Sequence, residues 1–284
     1  MKKTILITGA TSGVGKSLSK MCAKAGYEVI MTGRNKEKAE AAYQDVIRYS
    51  GNKSVRLILA DLSSLKEIEK LASEVISNYT NLNVLVNNAG LSLPKRELST
   101  DGIEKVFATN HIGYFYLTEL LLDLLKSSSP SRIINVASEA HSEINFNDLM
   151  SEKKYHQLKT YGSSKTANIM FTYELAERLK GSDVTVNCLH PGAVRSRIYD
   201  NVPFFAKILI TLIKPFFISS DKSAGYIFPL VSSKEYRNVT GKYFIKGKEM
   251  LSKEFTYNKE VHRKLWEITE NIISERKTEF WQNM

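Results

Sequence analysis

Short, uninterrupted apolar runs alternate along this chain with longer stretches in which apolar residues recur every three or four positions. Runs of the first kind suit strands of a parallel sheet hidden on both faces, and stretches of the second kind suit amphipathic helices. The pattern predicts strands over Thr4–Thr8, Tyr27–Thr32, Val55–Ala60, Asn83–Val86, Arg132–Ala137 and Val184–Leu189. It predicts helices over Gly13–Ala25, Lys36–Ser50, Leu65–Tyr79, Gly102–Lys126 and Tyr161–Lys180. Such alternation implies right-handed crossovers and one doubly wound parallel sheet of the α/β class. No second core and no Pro/Gly/Ser linker interrupts it, so residues 1–284 read as one domain.

Three stretches depart from the rhythm. Residues 139–160 are polar and irregular, residues 202–218 strongly apolar, and residues 248–284 charged and mostly helical. The apolar stretch carries Lys207 and Lys214 and is too short and interrupted to span a bilayer. It stays open as a packed helix, a homodimer contact, or a greasy substrate lid whose residues 203–217 touch a membrane peripherally.

Composition narrows the function. Apolar residues at 43% and charged residues at 25% fit a soluble domain with a large core and exclude a disordered chain. The formal charge of +10 is spread without a basic block, and no zinc-finger or RNA-binding signature appears, so no nucleic-acid partner is expected. Two cysteines cannot frame a disulfide scaffold, and the first apolar run is too short for a signal peptide. A cytoplasmic protein, with a peripheral membrane contact left open, is expected. His111, His141, His156, His190 and His262 lack metal-ligand spacing, so no metal is expected; His141 and His156 read as solvated loop histidines.

The loop Thr8–Gly15, with Gly9, Ser12, Gly13, Val14 and Gly15, follows the first strand and opens the first helix. Glycines let a backbone approach closely, and helix-terminal N–H groups favour an anion, so the loop suits a phosphate. Its Gly-xxx-Gly-x-Gly spacing differs from the Gly-x-Gly-x-x-Gly dinucleotide fingerprint. Ala10–Ser17 is also one residue short of an NTPase phosphate loop, with Asp61 as the magnesium-holding acid. That rival predicts magnesium–ATP binding, and the downstream residues argue against it. Arg34 follows the second strand, where a dinucleotide fold places the adenosine ribose; an arginine there accommodates a 2′-phosphate and favours NADP over NAD.

Tyrosine and lysine four residues apart share one helix face. A phenol titrates near a pKa of about 10, and one ammonium about 4 Å away supplies on the order of 4 kcal/mol, enough to bring it near neutrality. The spacing occurs at Tyr49/Lys53, Tyr155/Lys159 and Tyr161/Lys165. Only the third pair sits among small residues, Gly162, Ser163, Ser164, Thr166 and Ala167, as a backbone beside a cofactor requires. Asn87-Asn88-Ala89-Gly90 ends the fourth strand, Asn110 interrupts the long helix, and Ser138 ends the fifth strand. Each alone reads more readily as structural than chemical; their order along the chain is hard to assign to chance.

Together with Pro191-Gly192, these residues resemble the short-chain dehydrogenase/reductase family over nearly the whole chain. Ser138–His141, Ile144–Phe146, Gly241–Phe244 and Leu265–Glu267 are similar to a narrower group, the retinol-dehydrogenase-like reductases, which include the WW-domain oxidoreductase. Tyr161 stands 23 residues after Ser138, the longer insert of that group. The resemblance implies a Rossmann-type three-layer α/β/α domain, a carbonyl reductase using NADP(H). It implies Tyr161 as proton donor, Lys165 as its cation and ribose ligand, Ser138 as the substrate-oxygen ligand, and Asn110 as holder of a water. It implies Gly9, Ser12, Gly13 and Val14 at the pyrophosphate, Asp61 and Leu62 at adenine, Asn88 and Ala89 with Gly90 near ribose, and Pro191, Gly192, Val194 and Ser196 at the nicotinamide amide. A small apolar carbonyl or alcohol, retinal-like or lipid-derived, is the expected substrate; the alternative is a catalytically silent cofactor-binding sensor.

Overall fold

The computed structural model describes residues 2–194 and 217–282. Its centre is an eight-stranded sheet in the order β3-β2-β1-β4-β5-β6-β7-β8. The strands are β1 (Thr4–Ile7), β2 (Glu28–Gly33), β3 (Val55–Leu59), β4 (Val84–Asn87), β5 (Ser131–Val136), β6 (Val184–His190), β7 (Lys242–Ile245) and β8 (Lys248–Met250). All neighbours pair in parallel except β7 and β8, which form an antiparallel hairpin.

Side-chain alternation along each strand sorts the core into two layers. Leu6, Ile30, Leu85, Ile133 and Val186 face one side, against α3 (Leu65–Asn78), α5 (Gly113–Ser127), α6 (Gln157–Arg178) and α8 (Lys259–Gln282). Ile5, Ile7, Val29, Met31, Val84 and Val86 face the other, against α1 (Gly13–Lys24), α2 (Lys36–Ser50) and α7 (Ser220–Ser232). Burial on both faces explains why these strands read as unbroken apolar runs. Strand order reverses direction at β1, whose neighbours β2 and β4 leave on opposite sides, so a crevice opens at their carboxyl ends.

Two helices begin elsewhere than their periodicity suggests. The helix expected from Gly102 starts as α4 (Lys105–Phe107), because Gly102 is left-handed (φ 72°) and Glu104 caps the turn. The buried Glu104 carboxylate accepts the N–H groups of Val106 at 2.9 Å and Phe107 at 2.8 Å. A π-helical turn, Ala108–Ile112, joins α4 to α5 and carries Asn110. The helix expected from Tyr161 starts one turn earlier, at Gln157. The hairpin β7–β8 and helix α7 lie outside the predicted alternation. Of the apolar stretch 202–218, only Phe217 and Ile218 lie within the described residues.

α8 supplies Leu265, Trp266 and Ile273 to the core, and Trp266 packs edge-on to Phe115 at 4.6 Å between centroids. It also reaches the π turn, where His111 Nε2 meets Thr269 Oγ1 at 3.0 Å. Thr269 spends its hydroxyl hydrogen on Leu265 O, so the ring donates to Thr269 through Nε2. Burial holds His111 down to a pKa of about 3, which favours the neutral ring.

Candidate active site

The carboxyl ends of β1, β2, β4, β5 and β6 open into one cleft of about 680 Å³. Its floor is set by the turn after β1. Gly9 has φ 63°, and a Cβ there would lie 2.7 Å from Ala89 Cα, so the turns after β1 and β4 touch backbone to backbone. A Cβ on Gly15 would collide with Gly9 O. Both glycines are therefore demanded by the protein's own packing, before any ligand is considered. Polar groups fasten the same contact. Thr8 Oγ1 accepts the N–H groups of Asn88 at 2.8 Å and Ala89 at 3.0 Å, and Asn88 Nδ2 donates to Thr8 O at 2.8 Å.

Beside this contact the N-terminus of α1 faces the cleft through Ser12, Gly13 and Val14. Asn35 and Ser64 cap α2 and α3 with their side chains, whereas Ser12 makes no such bond and the first turn of α1 holds no acid. The main-chain donors and the positive end of the helix dipole are thus left for an anion. Lys16 is not part of this site. It lies 2.8 Å from Asp45 on α2 and lines no part of the cleft, which removes the lysine that an NTPase phosphate loop requires.

At the β2 end, Arg34, Asp61 and Leu62 line the cleft as expected, and Asn35 and Lys38 join them. Arg34 Nη1 stands 3.7 Å from Asp61 Oδ2 with its side chain 55% exposed, so the guanidinium keeps donors toward solvent. Thr32 is among the residues lining this end, and its Oγ1 is buried without a hydrogen-bond partner among the described residues. Thr109 Oγ1, nearer the middle, is in the same condition. Orphaned hydroxyls, an uncapped helix start and a basic pair suit a ligand with phosphates and a ribose, and a nicotinamide dinucleotide fits that donor set.

The opposite end collects the chemistry. Ser138, Tyr161 and Lys165 line the cleft together with Gly90, Pro191, Gly192 and Val194. Lys165 is buried, and its Nζ donates to Val136 O at 2.9 Å, the last residue of β5. It lies 5.7 Å from the centroid of the Tyr161 ring and 5.6 Å from that of Tyr114. Burial pushes the Lys165 ammonium down to a pKa of about 7, so its charge responds to what else enters the site. Ser138 Oγ accepts the Ala140 N–H at 3.1 Å and keeps its own hydrogen for another acceptor.

Asn110 does not line the cleft. Its Oδ1 accepts the Leu91 N–H at 2.8 Å, and its Nδ2 donates to Leu91 O at 3.0 Å and Ser164 Oγ at 2.9 Å. These bonds clamp the loop after β4 to α6. The π turn aims that amide, which answers why an asparagine sits inside a helix. Ser196 lies outside the described residues.

The competing pairs are not in the cleft. Tyr49 is exposed beside Lys20 and Lys24, and the Tyr155 hydroxyl donates to Leu93 O at 2.7 Å. Sequence reasoning missed three contributors: the Thr8 hydroxyl, the basic Lys38 behind Arg34, and His190 at the end of β6. His190 lines the cleft, pairs with Glu139 at 3.0 Å and is held near a pKa of about 4, first by burial. The cluster of cations after β2 was visible as Arg34-Asn35-Lys36-Glu37-Lys38; the roles of Thr8 and His190 depend on strand neighbours.

Residues 3–203 match the short chain dehydrogenase family. The chain is 40% identical over 291 residues to retinol dehydrogenase 14 of Homo sapiens, covering 95% of this chain and 86% of that protein. It is 36% identical over 273 residues to retinol dehydrogenase 12 of Mus musculus, with the same two coverages, 95% and 86%. A crystal structure from Mycobacterium paratuberculosis superposes with a TM-score of 0.76 at 27% identity, covering 96% of this chain and 93% of that one. The Pseudomonas aeruginosa RhlG/NADP active-site complex superposes with a TM-score of 0.70 at 27% identity, covering 86% and 94%. Cleft, strand order and relatives agree: the chain belongs to the short-chain dehydrogenase family of oxidoreductases, in its retinol-dehydrogenase-like group.

Proposed function

We propose that this protein moves hydride between NADP(H) and an apolar carbonyl or alcohol. One observation carries the reading: Ser138, Tyr161 and Lys165 meet at one end of a cleft whose other end holds Arg34 and Lys38. When bound, the nicotinamide would supply the hydride chemistry, giving hydride to a carbonyl carbon or taking it from an alcohol. In the reductive direction the Ser138 hydroxyl hydrogen-bonds the substrate oxygen and orients it. The Tyr161 hydroxyl gives that oxygen its proton, so an alcohol forms and a phenolate remains. The Lys165 ammonium stabilises that phenolate and binds ribose hydroxyls. Gly9, Ser12, Gly13, Val14 and Gly15 cradle the pyrophosphate, Asp61 and Leu62 the adenine, Asn88, Ala89 and Gly90 the ribose side, and Pro191, Gly192 and Val194 the amide.

Arg34 supports NADP because it lines the cleft with its guanidinium half-exposed, where it would pair with a 2′-phosphate, and Lys38 adds a second cation. Charge-assisted bonds of this kind contribute about 1.5–3 kcal/mol. Arg34→Ala is expected to raise the Kd for NADPH by roughly 10- to 100-fold while changing that for NADH less than about threefold. Titration by quenching of protein fluorescence measures both. A wild-type Kd for NADH equal to or below that for NADPH contradicts the NADP assignment.

Leu91, Leu93 and Val194 give the catalytic end apolar walls, and relatives named retinol dehydrogenases point to an extended apolar substrate. Each buried methylene contributes about 0.8 kcal/mol, so kcat/KM for unbranched aldehydes is expected to rise roughly fourfold per carbon until the wall is filled. An NADPH-oxidation series graded by chain length tests this. Equal kcat/KM for short polar and long apolar aldehydes removes its basis. Among the described residues no helix is long and apolar enough to cross a membrane.

A further inference from the structure

The loop that follows β5 carries Ser138 and is held from two sides. On one side it lies against the first turns of α6. A Cβ on Gly162, next to Tyr161, would meet Ala140 O at 2.8 Å and Ser142 Oγ at 2.6 Å, and Thr166 Oγ1 donates to Ser142 O. On the other side stands the segment after the β7–β8 hairpin. The link to that segment is His141, which is 4% exposed and so is a core residue, against the solvated loop histidine expected from sequence.

The bonding of His141 fixes its protonation. Nδ1 lies 2.8 Å from Ser138 O, a carbonyl that can only accept, so Nδ1 carries the hydrogen. Nε2 lies 3.2 Å from the Lys253 main-chain nitrogen, which can only donate, so Nε2 is bare. A second proton on the ring would set two N–H groups against each other. The surroundings agree. Lys253 Nζ donates to the His141 carbonyl at 2.6 Å, and the rings of Tyr243 and Phe255 pack edge-on at 5.9 and 6.0 Å. Among the described residues the acid acting on the ring is Glu139, which lies 3.0 Å from His190. Burial comes first and the Lys253 ammonium adds to it in holding the imidazole below its ordinary range, against the upward pull of the Ser138 carbonyl bond and, more weakly, of Glu139.

We propose that His141 is a positioning residue for Ser138: its neutral ring ties the Ser138 carbonyl to the Lys253 amide and so fixes where the Ser138 hydroxyl points. This rests on the reading of Ser138 as the ligand of the substrate oxygen. A misplacement of about 1 Å at such a group costs on the order of 100-fold in rate. The contact touches neither the pyrophosphate cradle nor the Arg34 end of the cleft.

The test is a double-variant cycle on the full chain, using NADPH and the aldehyde turned over fastest in the chain-length series. Wild type, His141→Phe, Ser138→Ala and the double variant are compared for kcat and for NADPH Kd. His141→Phe is expected to lower kcat tenfold or more with Kd unchanged within twofold. Added to Ser138→Ala it is expected to lower kcat by less than twofold. Equal losses in both backgrounds overturn the proposal and leave the role of Ser138 standing. Wild-type kcat in Ser138→Ala overturns that role, and the proposal falls with it. His141→Gln supplies a second readout, because its amide carries both a donating NH₂ and an accepting oxygen and does not titrate. Wild type is expected to lose kcat as pH falls below the ordinary imidazole range, and His141→Gln to lack that acid limb. An acid limb unchanged in His141→Gln contradicts the proposal.

Discussion

Tyr161→Phe is expected to lower kcat for aldehyde reduction by about a thousandfold, within the range for removing a positioned general acid. The substitution deletes one hydroxyl and keeps the ring, so the Lys165 ammonium retains its aromatic neighbour at 5.7 Å. NADPH Kd is expected to stay within about twofold, since the phosphate cradle and Arg34 lie at other parts of the cleft. A loss confined to kcat identifies an interaction made in the transition state; a rise in KM alone would identify uniform binding. Steady-state kinetics of wild type and Tyr161→Phe at saturating NADPH measures the difference. The neighbouring Tyr155 cannot substitute, because its hydroxyl is engaged by Leu93 O.

Lys165→Met is expected to abolish most activity and at the same time stabilise the cofactor-free protein. Lys165 is fully buried against one carbonyl, Val136 O, and its pKa falls from 10.5 to about 7. Between those values the unfolded chain holds a proton that the folded chain has released. Stability therefore climbs with pH through that window, by up to about 1.4 kcal/mol per unit for this group, and the cost of burial is fully present below pH 7. Methionine fills a similar volume without a charge. Urea unfolding near pH 6.5 is expected to show the variant more stable by on the order of 3 kcal/mol, with the gap shrinking toward pH 10. Equal stability at both pH values would show that the lysine is not desolvated. The activity loss follows from the same charge, since the Lys165 ammonium is what steadies the phenolate left on Tyr161. An anionic occupant of the cleft favours the ammonium, so the protein gives up apo stability for a group that is charged when the site is filled.

Much of this architecture was legible from local pattern. β1, β4 and β5 are buried on both faces, and that condition alone writes Ile5-Leu6-Ile7, Val84-Leu85-Val86 and Ile133-Ile134 as apolar runs. Tyr161 and Lys165 could be paired because four residues is one helical turn, wherever the helix begins. What escaped was set by groups distant in sequence. Gly102 and Glu104 stop a helix that periodicity would have started earlier, and the π turn at Asn110 answers to Leu91 and Ser164 across the cleft wall. His156 offers no side-chain cap, so nothing local marks Gln157 as the start of α6. β7 and β8 are short and turn through Lys246-Gly247, both at positive φ, rather than through an asparagine–glycine turn that sequence would signal. Thr8, His141 and His190 look ordinary along the chain and acquire roles only when neighbouring strands bring them to Asn88, Lys253 and Glu139.

The central claim is that this cleft delivers hydride to a carbonyl carbon while Tyr161 supplies the proton. It is tested most directly by turning over a long-chain aldehyde with NADPH deuterated at both C4 positions and examining the alcohol by mass spectrometry. The account predicts one deuterium on the carbinol carbon of the wild-type product, with formation slowed about a thousandfold in Tyr161→Phe. An alcohol without deuterium, or one formed at the wild-type rate by Tyr161→Phe, would contradict it.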